Sequence, residues 1–223
     1  MEMKRKHTRA RAVYWVIVAA GSVILGIYMA GTEWNTGVLA LWLTVIFLGA
    51  MAVEMLWFRS LAKRANALTP LLRTDPDRYI AELEDLLGGV KSLGVQQTLA
   101  INLAAACCEK GDYARAADLL TGLDPRRIPA VNQGAYWADL ALARFCLGQD
   151  DRAAAVIDGQ SQLFTRMKDD PRLGGLAAVL SAYYARAKGD LELAWERYYA
   201  AREAWKDPGT QKELDRLEAS LRG

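Results

Sequence analysis

The octet Lys110-Gly111-Asp112-Tyr113-Ala114-Arg115-Ala116-Ala117 ends one helix and starts another. A glycine behind an alanine-rich apolar run suits a left-handed helix C-cap, and the aspartate after it suits the N-cap of the next helix. The octet returns in weaker form as Gly148-Gln149-Asp150-Asp151-Arg152-Ala153-Ala154 and as Lys188-Gly189-Asp190-Leu191-Glu192-Leu193-Ala194, at offsets of 37 and 41 residues. Each copy has an alanine five positions after its glycine, small enough for two helices to cross closely. Apolar residues around these turns recur at spacings of three and four, and strand signals are scarce after Arg59. The four Asp-Pro dipeptides at 75–76, 124–125, 170–171 and 207–208 each predict a helix start, with an acceptor at the cap and a ring tolerated at the first helical position. The expectation is an all-α fold of stacked helix-turn-helix units.

On these residues the chain resembles the tetratricopeptide repeat family, whose unit of about 34 residues is a helix-turn-helix with small residues at the crossing. The turn matches at Gly111, Asp112 and Tyr113, the second-helix alanine at Ala116, and the first-helix leucine and small residue at Leu103 and Ala104. Trp137, Leu140, Ala141 and Ala153 match in the second copy; Ala182, Gly189 and Ala194 match in the third. The second copy lacks the turn tyrosine, and Ser181 stands where leucine is usual. The resemblance spans Val95 to Trp205 and implies an α-solenoid of about three repeats. It further implies a concave groove for a peptide or amphipathic helix of a protein partner, lined by Thr98, Ile101, Ala105 and Cys108, then Ala138, Leu142 and Phe145, then Val179, Tyr183 and Arg186. The groove is mostly apolar, and Ala105 stands where a carboxylate-clamping member carries asparagine. It is either open or filled by one of the flanking amphipathic segments, 76–87 or 208–221.

Toward the N-terminus the composition changes. Val13 to Ala30 is 18 residues without a charge, long enough at ~1.5 Å per residue to cross most of a ~30 Å hydrocarbon core. After the break at 32–36, Gly37 to Phe58 carries only Glu54 as a charge, close to the end of the run. The expected organisation is a basic cytoplasmic tail over 1–12, a transmembrane hairpin over 13–58 with spans 13–31 and 37–57, a juxtamembrane helix or linker over 59–75, and the repeat domain with a C-terminal capping helix over 76–223. Tyr14, Trp15, Trp57 and Phe58 would mark one membrane interface, Tyr28 and Trp34 the other. Lys4, Arg5, Lys6, Arg9 and Arg11 before the first span and Arg59, Lys63 and Arg64 after the second place both termini and the repeat domain in the cytoplasm, at an inner cell membrane. A cleavable signal peptide fits poorly, because a second span comes at once. Ser22, Gly26 and Ala30 form a small-residue stripe that suits packing against the second span, or a homodimer.

The chain has 28 basic and 26 acidic residues, and the basic excess is confined to the N-terminal tail, so the helical domain has no charge to draw it to nucleic acid. Cys107, Cys108 and Cys146 have no disulfide or metal spacing and read as reduced thiols. His7 is the one histidine. With no phosphate-loop, dinucleotide or zinc-protease motif and no carboxylate in an evidently perturbing context, the expectation is a non-enzyme without cofactor or metal. The reading is a membrane-anchored interaction scaffold whose contacts are the lipid bilayer and a protein partner. An accessory subunit of a membrane complex, assembled through the hairpin, is the alternative.

Overall fold

The computed structural model describes residues 2–31 and 36–222, whose regular structure is all helical, with no strand among them. Trp34, one of the expected interface aromatics, lies outside the described residues. The chain divides into two compact units, Met1–Pro70 and Leu71–Gly223.

The first unit consists of α1 (Glu2–Ala30) and α2 (Thr36–Leu68). Ala12–Ala30 and Thr36–Leu68 are long and apolar enough to cross a membrane, and almost nothing in either is buried by the protein itself. The two helices meet antiparallel, through ring-on-glycine contacts. A Cβ on Gly21 would lie 2.3 Å from the Trp42 ring, and one on Gly49 would lie 2.8 Å from the Tyr14 ring. Trp42 Nε1 donates to Ser22 Oγ at 3.2 Å, and the Tyr14 hydroxyl donates to the Ile46 carbonyl. Tyr14 therefore serves the helix–helix contact. α2 continues past Arg59 to Leu68, so most of the expected juxtamembrane segment belongs to this helix.

The second unit runs α3 (Leu71–Thr74), α4 (Pro76–Gly89), α5 (Leu93–Lys110), α6 (Tyr113–Thr121), a 3-10 turn (Pro125–Arg127), α7 (Ala130–Cys146), α8 (Asp150–Gly159), α9 (Ser161–Met167), α10 (Gly174–Ala187), α11 (Leu191–Ala204) and α12 (Pro208–Arg222). Consecutive helices pack on one another from α3 to α8 and from α10 to α12, while α5, α7 and α10 also touch in sequence. Gly111, Gly148 and Gly189 have φ of 88°, 71° and 80°, and they are the positive-φ residues among those described. In all three copies the glycine N–H bonds back three residues and the next N–H bonds back five, to Cys108 and Cys107, to Phe145 and Arg144, and to Arg186 and Ala185. This is the Schellman closure, which satisfies the last carbonyls of the helix it ends. Asp112 and Asp190 then cap α6 and α11 by accepting from Arg115 N and Leu193 N. Ala104, Ala141 and Ala182, and five residues past each glycine Ala116, Ala153 and Ala194, are completely buried, which lets paired helices cross with little side chain between them.

Two of the four Asp-Pro starts differ from expectation. Asp75 and Asp207 do open α4 and α12, accepting from Arg78 N and Thr210 N. Asp124 instead caps a single 3-10 turn, because Pro129 holds Ile128 extended and delays α7 to Ala130. Asp170 accepts from Arg172 N and Leu173 N in a turn that ends before α10 begins at Gly174. Gly174 and Gly175 are required there: a Cβ on the first would strike the Trp205 ring at 2.5 Å, and on the second Thr210 Oγ1 at 2.3 Å. The long connection between the second and third turn copies is taken up by α9, whose Phe164 and Met167 are buried.

Candidate functional site

α12 returns to the start of the unit. Leu214 and Leu217 are completely buried on its inner face. Lys212 Nζ reaches the Glu109 carboxylate of α5 at 2.5 Å, and the Arg216 guanidinium lies 5.4 Å from the centre of the Tyr113 ring. α12 packs on α10 and α11, reaches Glu109 of α5, and borders a cleft shared with residues of α5, α7 and α10.

The residues expected to line a groove are divided by this arrangement. Ala105, Cys108, Leu142 and Val179 come together beneath one cleft with side chains of α12, and all but the half-buried Ala105 are themselves buried. Phe145 and Tyr183, 2% exposed each, stack with ring centres 5.3 Å apart and are core, as are Ile101 and Ala138. Thr98 is tied to Asn132 at 2.8 Å, and Arg186 to Asp150 at 2.7 Å. In the first unit Ser22, Gly26 and Ala30 line an apolar cleft of about 450 Å³ between α1 and α2, together with Leu39, Trp42 and Ile46. A Cβ on Gly26 would meet nothing within 4 Å, so the close approach is made by Gly21 instead.

The cleft beside α12 has a volume of about 280 Å³. Leu72, Ala105, Leu142, Leu176 and Val179 form its apolar walls, and Asp139, Glu213, Glu109, Asp207 and Arg172 are its charged groups. Three of these charges are answered locally: Glu109 by Lys212, Glu213 Oε1 by Arg216, and Arg172 by Asp170 at 3.6 Å. Asp139 differs. It is 7% exposed and receives no hydrogen bond or ion pair among the described residues. Glu213, also 7% exposed, leaves its Oε2 buried without a partner among them. Burial, with the neighbouring Glu213 charge adding to it, pushes the Asp139 carboxyl up to about 7. Burial likewise raises Glu213, with Arg216 opposing. Cys108 is pushed well above its ordinary value by burial and then by Asp139, which keeps the thiol protonated and unreactive.

Asp139 overturns the expectation that no carboxylate sits in a perturbing context. Its one sequence signal is its position, a single acid within the apolar run Trp137 to Ala143 of α7. Among the described residues no three His, Cys, Asp or Glu side chains converge in a way that would hold a metal ion.

Fold and site together describe a helical chain with two apolar helices and a separate helical unit that carries one partly acidic, apolar-walled cleft. No family model, curated protein or solved structure matches the chain.

Proposed function

We propose that this protein is a membrane-anchored interaction scaffold: α1 and α2 span an inner membrane with both termini in the cytoplasm, and residues 71–223 form a tetratricopeptide-like solenoid that binds a protein partner in the cleft beside α12. The observation that carries the reading is the Asp139 carboxylate, buried in that cleft and left without a partner among the described residues. Isolated buried carboxylates are costly, and a protein that keeps one against a cleft has a use for it there. Orientation rests on the basic residues that flank the spans, and the repeat reading on the three matching Schellman turns and their buried alanines. Anchoring raises the effective concentration of the cleft toward membrane-bound partners. The test is capture of the full-length protein from mild detergent beside Leu176→Arg, which blocks a half-buried wall without entering the core. The reading expects a partner held by wild type and lost from a variant of unchanged helicity; a partner held equally by both contradicts it.

A second reading has its own observation. The stripe of Ser22, Gly26 and Ala30 lines an apolar cleft that the hairpin's own side chains leave unfilled. An accessory subunit that packs into a membrane complex through this face, or a homodimer, would use it.

A further inference from the structure

We propose that the cleft beside α12 is a receptor for one arginine side chain of the protein partner, held by Asp139 and the free oxygen of Glu213. The proposal rests on the scaffold reading and gives its site a chemistry.

Size sets the first limit. At about 280 Å³ the cleft lies at or below the range of ~300–1,000 Å³ that encloses whole drug-sized ligands, which suits a single long side chain. Charge sets the second. Of the four carboxylates around the cleft, Glu109 is satisfied by Lys212, Asp207 accepts from Thr210 N, and one oxygen of Glu213 is taken by Arg216, which leaves Asp139 and the buried Glu213 Oε2 as the acceptors without a partner among the described residues. Those acceptors call for a cation with several donors. The stem of that cation must be apolar, since the half-buried Leu176 lines the cleft above the buried Leu142 and Val179. Arginine meets both demands. Its guanidinium is weakly hydrated, stays charged at any cellular pH and presents donors in a planar fork that can serve two acceptors at once, whereas the lysine ammonium is a strongly hydrated point charge. Arg172 at the rim is answered by Asp170, which offsets its repulsion of an entering cation.

A guanidinium also resolves the state of Asp139. The groups around that carboxyl are Glu213 and Asp207 from α12 and its approach, Cys108 and Glu109 from α5, and Arg172 ahead of α10. Among the described residues lining the cleft Arg172 is the one cation, and burial together with the Glu213 charge raises the Asp139 carboxyl to about 7. Binding of arginine requires the ionised form. Occupation at pH 7 therefore releases about half a proton per site to solvent.

The test is calorimetric titration of the full-length protein in a neutral detergent with the peptide Ac-Ala-Ala-Arg-Ala-Ala-NH2, beside versions carrying lysine or uncharged citrulline at the centre. The expected result is at least tenfold tighter binding of the arginine peptide than of either other. Its enthalpy at pH 7 should depend on the ionisation enthalpy of the buffer, and that dependence should vanish at pH 9. Asp139→Asn, with helicity and unfolding midpoint retained, should lose the preference for arginine over citrulline; Glu213→Gln should weaken it. Equal binding of citrulline, equal binding of lysine, or a preference that survives Asp139→Asn overturns the assignment. The scaffold reading fails separately: a partner captured by wild type and also by Asp139→Asn, but lost from Leu176→Arg, sinks the arginine assignment alone, while capture unaffected by either variant sinks both.

Discussion

Lys212 on α12 donates to the Glu109 carboxylate on α5 at 2.5 Å, linking positions 103 residues apart in the chain. The ion pair joins α12 to α5, but both groups are partly exposed, at 43% and 22%, and such pairs contribute about 0.2–1 kcal/mol. The attachment of α12 comes from Leu214 and Leu217 beneath it.

Truncating one of those leucines should therefore cost far more than removing the charge. Leu217→Ala is expected to destabilise the helical unit by about 2–5 kcal/mol, and Lys212→Ala by less than about 1 kcal/mol. Thermal unfolding of the full chain, followed by circular dichroism, measures both; equal shifts would mean that α12 is not held by its apolar face.

Asp139 makes a pH-dependent prediction of definite sign. Its carboxyl is raised to about 7 in the folded chain, so between about pH 4 and pH 7 the folded state binds more protons than the unfolded state and wild-type stability falls as pH rises. Asp139→Asn removes this cost. The variant should be the more stable protein at pH 8, by up to about 4 kcal/mol, and the difference should shrink to nothing near pH 4. Urea titrations of both proteins at the two pH values decide it; a variant less stable at pH 8 would show that the carboxylate is paired in solution.

The features legible in the sequence are those that local chemistry decides. The Gly-Asp turns at 111 and 189, and the related turn at 148, announce themselves because a left-handed cap and an N-cap each depend on one residue type. The buried alanines five positions on come from the same register. The groove is less legible, because Phe145 and Tyr183 become core through an aromatic stack across 38 positions and α12 closes over α5 across a hundred. The leucines of 208–221 signal a helix that packs on a neighbour, but nothing in a local window names α5 as one of the helices it reaches. Asp124 and Asp170 mislead for a related reason. The proline after each starts a turn, but whether a helix grows from that turn depends on residues further along, on Pro129 in one case and on the tight approach of Trp205 to Gly174 in the other.

In the hairpin the two glycines of α1 should separate two effects. Gly21→Leu collides with the Trp42 ring and should disrupt the α1–α2 contact, whereas Gly26→Leu enters open space and should leave the hairpin intact. Chemical crosslinking between α1 and α2 reports on the contact. If Gly26→Leu keeps the crosslink yet abolishes assembly with another membrane protein, the accessory-subunit reading gains; if assembly is unchanged, the stripe is not a contact face.

The turn glycines give a test of backbone cost free of packing. A Cβ on Gly189 would meet nothing within 4 Å, so Gly189→Ala should cost only the positive φ, about 1–2 kcal/mol. Gly88, inside α4 and equally open, has no such φ, and Gly88→Ala should instead stabilise by about 0.5–1 kcal/mol. Opposite signs in the unfolding midpoints support the three-turn architecture; a tolerated alanine at 189 would contradict the Schellman closure there.

The central claim, that the cleft beside α12 receives a partner, is tested most directly by photocrosslinking in intact membranes from an amino acid with a light-activated side chain at position 176. The account predicts a discrete adduct from position 176 that disappears in the Asp139→Asn background and is absent when the probe is moved to the exposed position 131. An adduct obtained only from position 26 in the hairpin, with none from 176, would contradict it.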